Sequence, residues 1–422
     1  MNMWEEDIIQ EIQSLSRPIK SMDDLELIIQ AVSDCEIVML GEASHGTSEF
    51  YTMRAEITKR LIKEKGFSFI AVEGDWPSCY TLNRYIKHKA DAPAHAREAL
   101  NDFNRWPTWM WANEEVMSLV QWLHEFNENK KDNNQIGFYG IDVYSLWESM
   151  EEILSHLKKT NSPDLAMAQK AFECFEPHGR DPQAYGVSAS FLSEGCEEEV
   201  VKLLLTLQEK RKEGKPQDEV SLNDELNALV TINAERYYRS MVRGGPDSWN
   251  IRDRHMVEAL LRIKDFHGPH AKAIIWEHNT HIGDARATDM TAEGMINVGQ
   301  LLREKFGQEH VYAVGFGTYQ GSVIAANRWG GEIEVMKVPK AIPGSWEALL
   351  HQAGAQDKMI IFDQDRNVLE QPLGHRAIGV VYHPDYERGN YVPSILPSRY
   401  DAFIYVDQSR ALKPLKQPVL NK

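Results

Sequence analysis

The sequence has 422 residues, with 46 Lys and Arg against 63 Asp and Glu, so its formal net charge is −17. This acidic balance argues against a protein that binds nucleic acid or an anionic membrane, because nothing would neutralise the phosphates. No apolar run reaches the length that spans a bilayer. Glu5, Glu6 and Asp7 stand where a secretory signal carries positive charge.

The four cysteines, Cys35, Cys79, Cys174 and Cys196, are scattered and form no C-x-x-C pair. A dense disulfide framework is typical of small secreted domains, whereas this chain is long enough for one large body with an added lobe, or for two domains. The sequence therefore predicts reduced thiols and a cytoplasmic location.

Short apolar runs typical of strands alternate with helical periodicity in the first third of the chain. Between the first two runs, Phe50, Met53, Ile57 and Leu61 recur at three- and four-residue steps, and Gly66 is a helix stop. A helix between consecutive strands requires these strands to be parallel. The predicted strands are residues 36–40, 67–72, 135–139, 272–276, 310–315, 359–362, 377–382 and 402–406.

Strand signals disappear from about residue 145 to residue 267, where helical periodicity takes over. We interpret this stretch as an all-helical lobe inserted into an α/β body with a mainly parallel sheet core flanked by helices. The predicted division is 1–150 for the first part of the core, 151–267 for the helical lobe and 268–422 for the second part of the core.

Polar residues come directly after four of the predicted strands. Carboxyl ends of parallel strands lie at one edge of the sheet, where such folds bind ligands. The sequence therefore predicts one crevice that gathers carboxylates and imidazoles from four strands. These residues are Glu42, Ser44 and His45, then Glu73 and Asp75, then Asp142, and finally Glu277, His278 and His281.

His45 lies between Gly41 and Gly46 in a predicted strand-to-helix turn. The positive end of the following helix favours a neutral imidazole, and a neutral imidazole held by a carboxylate is the usual general base for activating water. Ser44 is the alternative nucleophile, but its surroundings do not form a G-x-S-x-G elbow. We therefore predict that His45 is the base.

His278 and His281 are three residues apart, so both would lie on one face of a helix. With His45 and Glu73 they could bind a metal ion. No H-E-x-x-H string is present, and the same groups suit metal-free acid–base chemistry. We predict a site without metal or cofactor, and the metal-dependent alternative stays open at this point.

Two arginines and two tryptophans complete the predicted site. Arg54 in the first helix, or Arg252 before the chain returns to the sheet, would neutralise the carboxylates or hold an oxyanion. Trp106 and Trp109 belong to an aromatic segment that Asn, Arg and Pro interrupt. Closely spaced tryptophans usually indicate core packing, and the alternative is that this segment forms a rigid apolar wall for a large, weakly polar substrate.

The strings V-M-L-G-E-A-S-H-G-T-S-E-F, F-I-A-V-E-G-D-W, R-D-R-x-M and W-E-H-N-T-H-I-G-D make the chain similar to the erythromycin esterase family, from about residue 20 to residue 410. The resemblance implies an α/β core with the helical lobe over a deep active-site cleft. It also implies hydrolysis of an ester, in the best-known members the macrolactone of an antibiotic, by water activated on a histidine. That reaction has neither a covalent intermediate nor an obligatory metal. Some relatives are labelled succinoglycan biosynthesis proteins.

Several residues match the functional positions of that family, and among them His45 corresponds to the general base. The family pattern leads us to expect a small residue at position 277. Glu277 departs from this pattern. An added carboxylate beside the histidines would raise their pKa or narrow the cleft. The matching residues are Glu42, His45, Arg54, Glu73, Arg252, His278 and His281.

We therefore predict a cytoplasmic hydrolase that cleaves a small-molecule ester or lactone with water activated by His45. Glu42 or Glu73 would stabilise the imidazolium, and Arg54, His278 or His281 would support the oxyanion. The residues predicted to contact the substrate are Asp75, Arg252, Trp106 and Trp109. The alternatives are a metal-dependent hydrolase with the same His/Glu cluster and a protein that binds a small molecule without turnover.

Overall fold

The computed structural model describes residues 3–178, 182–191, 196, 198, 200–203, 205–206, 218–362 and 367–416. The described helices are α1 (Met3–Leu15), α2 (Glu26–Ala31), α3 (Ser48–Lys65), α4 (Trp76–Ile86), α5 (Ala96–Leu100), α6 (Glu114–Asn127), α7 (Leu146–Lys159), α8 (Leu165–Glu173), α9 (Pro182–Phe191), α10 (Glu219–Met241), α11 (Asp247–His267), α12 (Asn279–Ile282), α13 (Val298–Phe306), α14 (Trp346–Gln352) and α15 (Leu396–Arg399). The described strands are β1 (Arg17–Pro18), β2 (Ile37–Leu40), β3 (Phe69–Asp75), β4 (Gly137–Asp142), β5 (Ala273–Trp276), β6 (Val311–Ala326), β7 (Ile333–Val338), β8 (Lys358–Ile361), β9 (Leu373–Arg376), β10 (Tyr391–Ser394) and β11 (Ala402–Ser409).

Within these residues, nine strands form one sheet in the order β1, β8, β11, β6, β2, β5, β3 and β4, with β7 paired to β6. The six strands from β11 to β4 are parallel to one another, whereas β1, β8 and β7 pair antiparallel. The predicted α/β class with a mainly parallel sheet is confirmed. Although β5 follows β4 in the chain, it lies between β2 and β3. The carboxyl ends of β2, β5, β3 and β4 are therefore neighbours.

Helices cover both faces of the sheet. In β2, Val38 and Leu40 belong to an apolar cluster shared with α3 and α6, whereas Ile37 and Met39 belong to a cluster shared with α1 and α11. Strands that are buried on both faces read as continuous apolar runs. This double burial explains why the sequence pattern predicted the central strands.

Helix α3 connects β2 to β3, as its apolar periodicity predicted. It ends at Lys65, and Gly66 follows with φ 70° and ψ 31°, which is the left-handed conformation of a helix cap. The prediction that Gly66 stops this helix is confirmed.

Helices α7, α8, α9 and α10 pack around a third apolar cluster. Helix α10 also reaches the sheet, since its Ala228 and Ile232 belong to the third cluster whereas Leu226 and Leu229 belong to a sheet cluster. Helix α11 then packs against β4 and α13. In the described part of the chain, no helix combines the length and the apolar composition that crossing a membrane requires. The domain division at residues 150 and 267 stays a prediction.

The prediction of reduced thiols is wrong for two of the four cysteines. Cys174 and Cys196 form a disulfide with their Cα atoms 5.8 Å apart, across a sequence separation of 22 residues. Spacing alone could not predict this bond, because it depends on how the chain after α8 packs against the chain after α9. Cys35 and Cys79 are buried free thiols.

The predicted strand at residues 377–382 is also wrong. The strand in this region is β9, which pairs with β10 in a separate two-stranded sheet. Residues 377–382 bond instead to two different segments: Ile378 N donates to Ala43 O at 2.8 Å, and Tyr382 N donates to Ala326 O at 2.9 Å. Ile378 and Tyr382 are buried in a small cluster, so their apolar pattern reflected burial rather than a ladder.

A hairpin went undetected in the sequence. Strand β6 continues to Ala326, well beyond the predicted residues 310–315, and pairs with β7 in antiparallel register. Residues 327–332 form the tip of this hairpin, and Trp329 on the tip is 58% exposed. This hairpin proves important for the cavity described below.

The turn that carries His45 contains a glycine that should not tolerate a side chain. A Cβ atom on Gly46 would lie 1.9 Å from Ile324 O, a main-chain atom that cannot rotate away. We expect Gly46→Ala to lower the free energy of unfolding by about 1–3 kcal/mol in urea denaturation. Gly389→Ala is the matched control, because nothing lies within 4 Å of its added Cβ. Equal unfolding free energies for both variants would contradict this reading of the turn.

Candidate functional site

The turn after β2 holds His45 against a carboxylate. His45 Nδ1 lies 2.8 Å from Glu42 Oε1, and Arg54 Nη2 donates to Glu42 Oε2 at 2.6 Å. All three residues are buried. Since the ionised carboxylate only accepts hydrogen bonds, neutral His45 carries its proton on Nδ1 and its Nε2 can accept a proton.

Arg54 lies behind Glu42 and does not line the cavity. Its guanidinium carbon lies 4.4 Å from the centre of the Tyr51 ring and 4.5 Å from that of Trp276. These rings and Glu42 hold the cation in the interior, where it neutralises the carboxylate. Arg54 is therefore remote from any bound substrate, and its predicted contact with an oxyanion has no support in this geometry.

Glu73, in the last part of β3, is the centre of the site. Its Oε1 accepts from Arg252 Nη2 at 2.7 Å, and its Oε2 accepts from the main-chain N of His278 at 2.8 Å. The same Oε1 lies 3.8 Å from His45 Nε2 and 3.7 Å from His281 Nε2. Burial raises the pKa of Glu73, but His45, His281 and Arg252 together lower this pKa well below its ordinary value. Glu73 is therefore ionised.

Arg252 reaches the sheet edge from helix α11. Its Nε and Nη2 donate to the two oxygens of Asp142 at 2.9 Å and 2.8 Å, and its Nη1 donates to His281 Nε2 at 3.0 Å. The guanidinium also lies over the Tyr144 ring at 4.8 Å. Bidentate pairing of this kind fixes both the position and the orientation of the cation.

His281 is held by partners on both ring nitrogens. Its Nδ1 lies 3.0 Å from both oxygens of Asp253, and its Nε2 accepts from Arg252. The ring stacks on Trp249 with a centroid distance of 4.5 Å and an interplanar angle of 6°. His281 therefore keeps its proton on Nδ1 and supports Arg252 rather than offering a free nitrogen.

His278 has the opposite tautomer. It is the N-cap of α12, and its Nδ1 accepts from Thr280 N at 3.2 Å and lies 2.8 Å from the Thr280 hydroxyl. Burial and the neighbouring His45 lower the pKa of His278 well below its ordinary value. The neutral ring therefore carries its proton on Nε2, which is buried and has no hydrogen-bond partner among the described residues. The His278 and His45 ring centroids are 4.9 Å apart.

These side chains line one cavity of about 300 Å³ at the edge of the sheet. Of the predicted site residues, Glu42, Arg54, Trp106 and Trp109 do not line it. Trp109 is buried in the core, and its ring packs edge-on against Trp106 at 5.4 Å. The predicted site residues that line the cavity are His45, Glu73, Asp75, Asp142, Arg252, His278 and His281.

The aromatic segment does form a wall of the cavity, but with different side chains from those predicted. Asp75 pairs with Arg105 through two hydrogen bonds of 2.5 Å and 2.6 Å, and both residues line the cavity. The alternation of inward and outward residues in this irregular segment depends on its turns, which periodicity cannot predict. The lining residues of the segment are Phe103, Arg105, Pro107, Met110 and Trp111.

Glu277 lies outside the cavity lining and is fully buried. Neither of its carboxyl oxygens has a hydrogen-bond partner among the described residues. Burial, and then the nearby Glu73 and Asp253, raise the pKa of Glu277 well above its ordinary value. The side chain is therefore protonated, and it neither narrows the cavity nor adds a charge beside the histidines.

Most nitrogen and oxygen atoms of this cluster that could bind a metal ion are already occupied by hydrogen bonds within the protein. Arg252 donates to both Glu73 and His281 Nε2, and Thr280 N donates to His278 Nδ1. Among the described residues, no three His, Cys, Asp or Glu side chains are arranged to hold a metal ion. The guanidinium of Arg252, which contacts Glu73, Asp142 and His281, would also repel a metal cation.

Five other residues of the site were not predicted from the sequence. Asp253 follows Arg252 in the R-D-R string and could have been found from the string itself. Thr280 occupies the variable position of H-N-x-H, and nothing local marks it. Tyr144, Trp249 and Trp329 come from three separate segments, and their convergence on the cavity is visible only in the structure.

The comparisons with known proteins agree with this fold. The sequence model described as erythromycin esterase matches residues 62–409. Erythromycin esterase type II of Escherichia coli is 22% identical over 394 residues, which cover 84% of this chain and 87% of that protein.

Solved structures show the same fold. A succinoglycan biosynthesis protein superposes with a TM-score of 0.79 at 19% identity, covering 98% of this chain and 99% of the other. An erythromycin esterase mutant, EreC, in its open conformation superposes with a TM-score of 0.68 at 16% identity, covering 94% and 96% of the two chains. At these identities the likeness extends to the fold alone.

The electrostatics of the site predict the titration of His45. Burial lowers its pKa, but Glu73 and Glu42 outweigh burial and raise this pKa above its ordinary value of 6.5. The expectation that the following helix would favour the neutral imidazole is therefore not met, because two carboxylates lie beside the ring. We expect NMR titration to give a pKa above 6.5, with the signal assigned from its loss in His45→Asn. Glu73→Gln should lower that pKa, because an anion that favours imidazolium is removed.

Asp75→Asn is the control for this titration, because Asp75 lines the same cavity but already pairs with Arg105. We expect it to shift the pKa of His45 less than Glu73→Gln does. The same His45 pKa in the wild type and in Glu73→Gln would show that Glu73 does not act on the imidazole.

Proposed function

This chain belongs to the erythromycin esterase family, and we propose that it hydrolyses an uncharged carboxylic ester or lactone with water activated by His45. One observation carries the proposal. A proton-accepting nitrogen, His45 Nε2, and an N–H donor with no partner among the described residues, His278 Nε2, belong to adjacent rings whose centroids are 4.9 Å apart in the wall of one cavity. Ester hydrolysis needs both functions, a base for water and a donor for the oxyanion.

In the proposed reaction, His45 Nε2 removes a proton from water, and the water oxygen attacks the carbonyl carbon. The hydrogen bond from Nδ1 to Glu42 and the nearby Glu73 charge stabilise the imidazolium that forms. The tetrahedral intermediate then collapses, the bond to the leaving oxygen breaks, and the imidazolium returns the proton to that oxygen. The products are a carboxylic acid and an alcohol, and no covalent enzyme intermediate is formed.

His278 would stabilise the oxyanion of this intermediate. Among the described side chains that line the cavity, its Nε2–H is a donor without a partner, whereas Arg252 already donates to Glu73, Asp142 and His281. A buried N–H donor without a partner destabilises the protein before substrate binds. When negative charge develops on the substrate oxygen, this donor forms a hydrogen bond to it and stabilises the transition state. His281 and Asp253 then act by holding Arg252.

The two alternative functions differ in their support. A metal-dependent hydrolase is disfavoured because hydrogen bonds within the protein occupy most of the possible ligand atoms. The positive charge of Arg252, which contacts Glu73 and His281, also disfavours a metal ion. A binding protein without turnover would use the same cavity, so only an activity measurement separates it from a hydrolase. Cleavage of a macrolide, a role in succinoglycan synthesis and a cytoplasmic location stay predictions. The Cys174–Cys196 disulfide bears on the predicted location, because structural disulfides are rare in reducing compartments.

The assignment of the base predicts the behaviour of His45→Asn. Asparagine can keep the hydrogen bond to Glu42 but cannot accept a proton from water, so we expect kcat to fall by roughly 10²- to 10⁴-fold. The measurement compares aryl esters and macrolides, with product mass showing the gain of one water. Circular dichroism serves as the folding control. A turnover near that of the wild type would refute His45 as the base.

The proposed role of His278 as the oxyanion donor can be tested separately from its role as a helix cap. His278→Asn keeps an oxygen that accepts from Thr280 N but removes the Nε2–H donor, so we expect kcat to fall by roughly 10²- to 10³-fold while the melting temperature is unchanged. His278→Ala removes both functions and should also lower the unfolding free energy by about 1 kcal/mol. If His278→Asn keeps full kcat, the oxyanion donor lies elsewhere.

A further inference from the structure

The tip of the β6–β7 hairpin contributes an aromatic wall at the open side of the cavity, and we infer that Trp329 selects substrates that carry a flat aromatic group beside the ester. This inference rests on the proposed function and names its substrate class. Trp329 lines the cavity although the residue is 58% exposed. Its indole therefore faces the cavity and solvent together.

The hairpin tip is held in place rather than hanging free. Trp106 Nε1 donates to Gly331 O at 3.1 Å, and the Trp106 and Trp329 rings pack with centroids 4.6 Å apart. At the base of the tip, Tyr382 N donates to Ala326 O at 2.9 Å. Because its neighbours already fix the indole, a ligand that stacks on it loses little to ordering of the site.

Trp329 continues an apolar surface that begins inside the cavity. Single exposed apolar side chains are common on protein surfaces and need no ligand to explain them. Trp329 differs because Tyr144, at 6.4 Å between ring centroids, joins it to the inner wall with Trp111 and Trp249. Aromatic rings prefer to meet other rings at centroid distances of about 4.5–7 Å, so this wall suits a flat ring.

Charge pairing in the cavity selects an uncharged substrate. Asp75 is paired with Arg105, whereas Asp142 and Glu73 share Arg252. Among the described residues, neither arginine is left to bind an anionic group, and neither aspartate is left to bind a cation. Among the described side chains that line the cavity, His278 Nε2 has no hydrogen-bond partner, and in the proposed reaction this atom and His45 Nε2 serve the ester itself.

The size of the cavity favours a small substrate. A volume of about 300 Å³ is at the low end of the roughly 300–1,000 Å³ found for ligand pockets. An ester with one or two fused aromatic rings suits a pocket of this size. A macrolactone with its sugars would have to displace the Trp329 tip, so aryl esters are the class that the cavity fits as it stands.

Binding of unreactive isosteres tests the inference without depending on turnover. The probes are N-(2-naphthyl)acetamide and N-cyclohexylacetamide, titrated by calorimetry into the wild type, Trp329→Ala and Trp329→Phe. We expect Trp329→Ala to weaken binding of the naphthyl amide roughly 3- to 10-fold, because a stacking partner is lost. Trp329→Phe should restore most of this affinity, and the cyclohexyl amide should respond less.

Trp4→Ala is the matched control, since Trp4 is an exposed tryptophan on α1 that does not line the cavity. Unchanged naphthyl binding in Trp329→Ala, or an equal loss for both amides, would overturn the inference even if esters are hydrolysed. If the naphthyl amide binds through Trp329 but 2-naphthyl acetate is not cleaved, the proposed hydrolysis fails and the aromatic selectivity stands.

Discussion

The buried carboxylate of Glu73 needs compensating positive charge, and the arrangement of the site follows from that need. An ionised carboxylate in the interior is costly unless charges and hydrogen bonds surround it. Arg252 and the main-chain N of His278 supply direct hydrogen bonds, and two histidine rings lie within 4 Å of the same oxygen. Any change at Glu73 therefore acts at once on the base, the arginine and the α12 loop.

Three histidines share this cavity, and their hydrogen-bond partners give each a different task. Glu42 holds the proton of His45 on Nδ1, which leaves Nε2 to accept a proton. Thr280 N occupies Nδ1 of His278, which leaves Nε2–H to donate. His281 is occupied on both sides by Asp253 and Arg252, so it has a supporting role. Residue type alone could not distinguish these roles, because the tautomer depends on the partner.

The site contains residues from both the sheet and the helical part of the chain, because Arg252 and Asp253 lie on helix α11. Helix α11 packs on β4 and α13, and this packing brings both residues to the carboxyl edge of the sheet. The same edge is tied to the β2 turn, because Asn279 N donates to Glu42 O at 2.9 Å. A Cβ atom on Gly41 would lie 2.2 Å from the Asn279 side chain, so the glycine permits this close approach.

The residue pattern by itself determined the central parallel strands, helix α3 with its stop at Gly66, and the polar residues at the carboxyl ends of β2, β3, β4 and β5. These features depend on neighbours within a few positions or on the general rule that parallel strands end at one edge. Only the tertiary structure decided that Cys174 bonds to Cys196, that residues 377–382 form no strand and that Trp329 reaches the cavity while Trp109 does not. Each of these outcomes is a contact between segments distant in the chain. Such contacts depend on packing and charge compensation in three dimensions, which local periodicity does not encode.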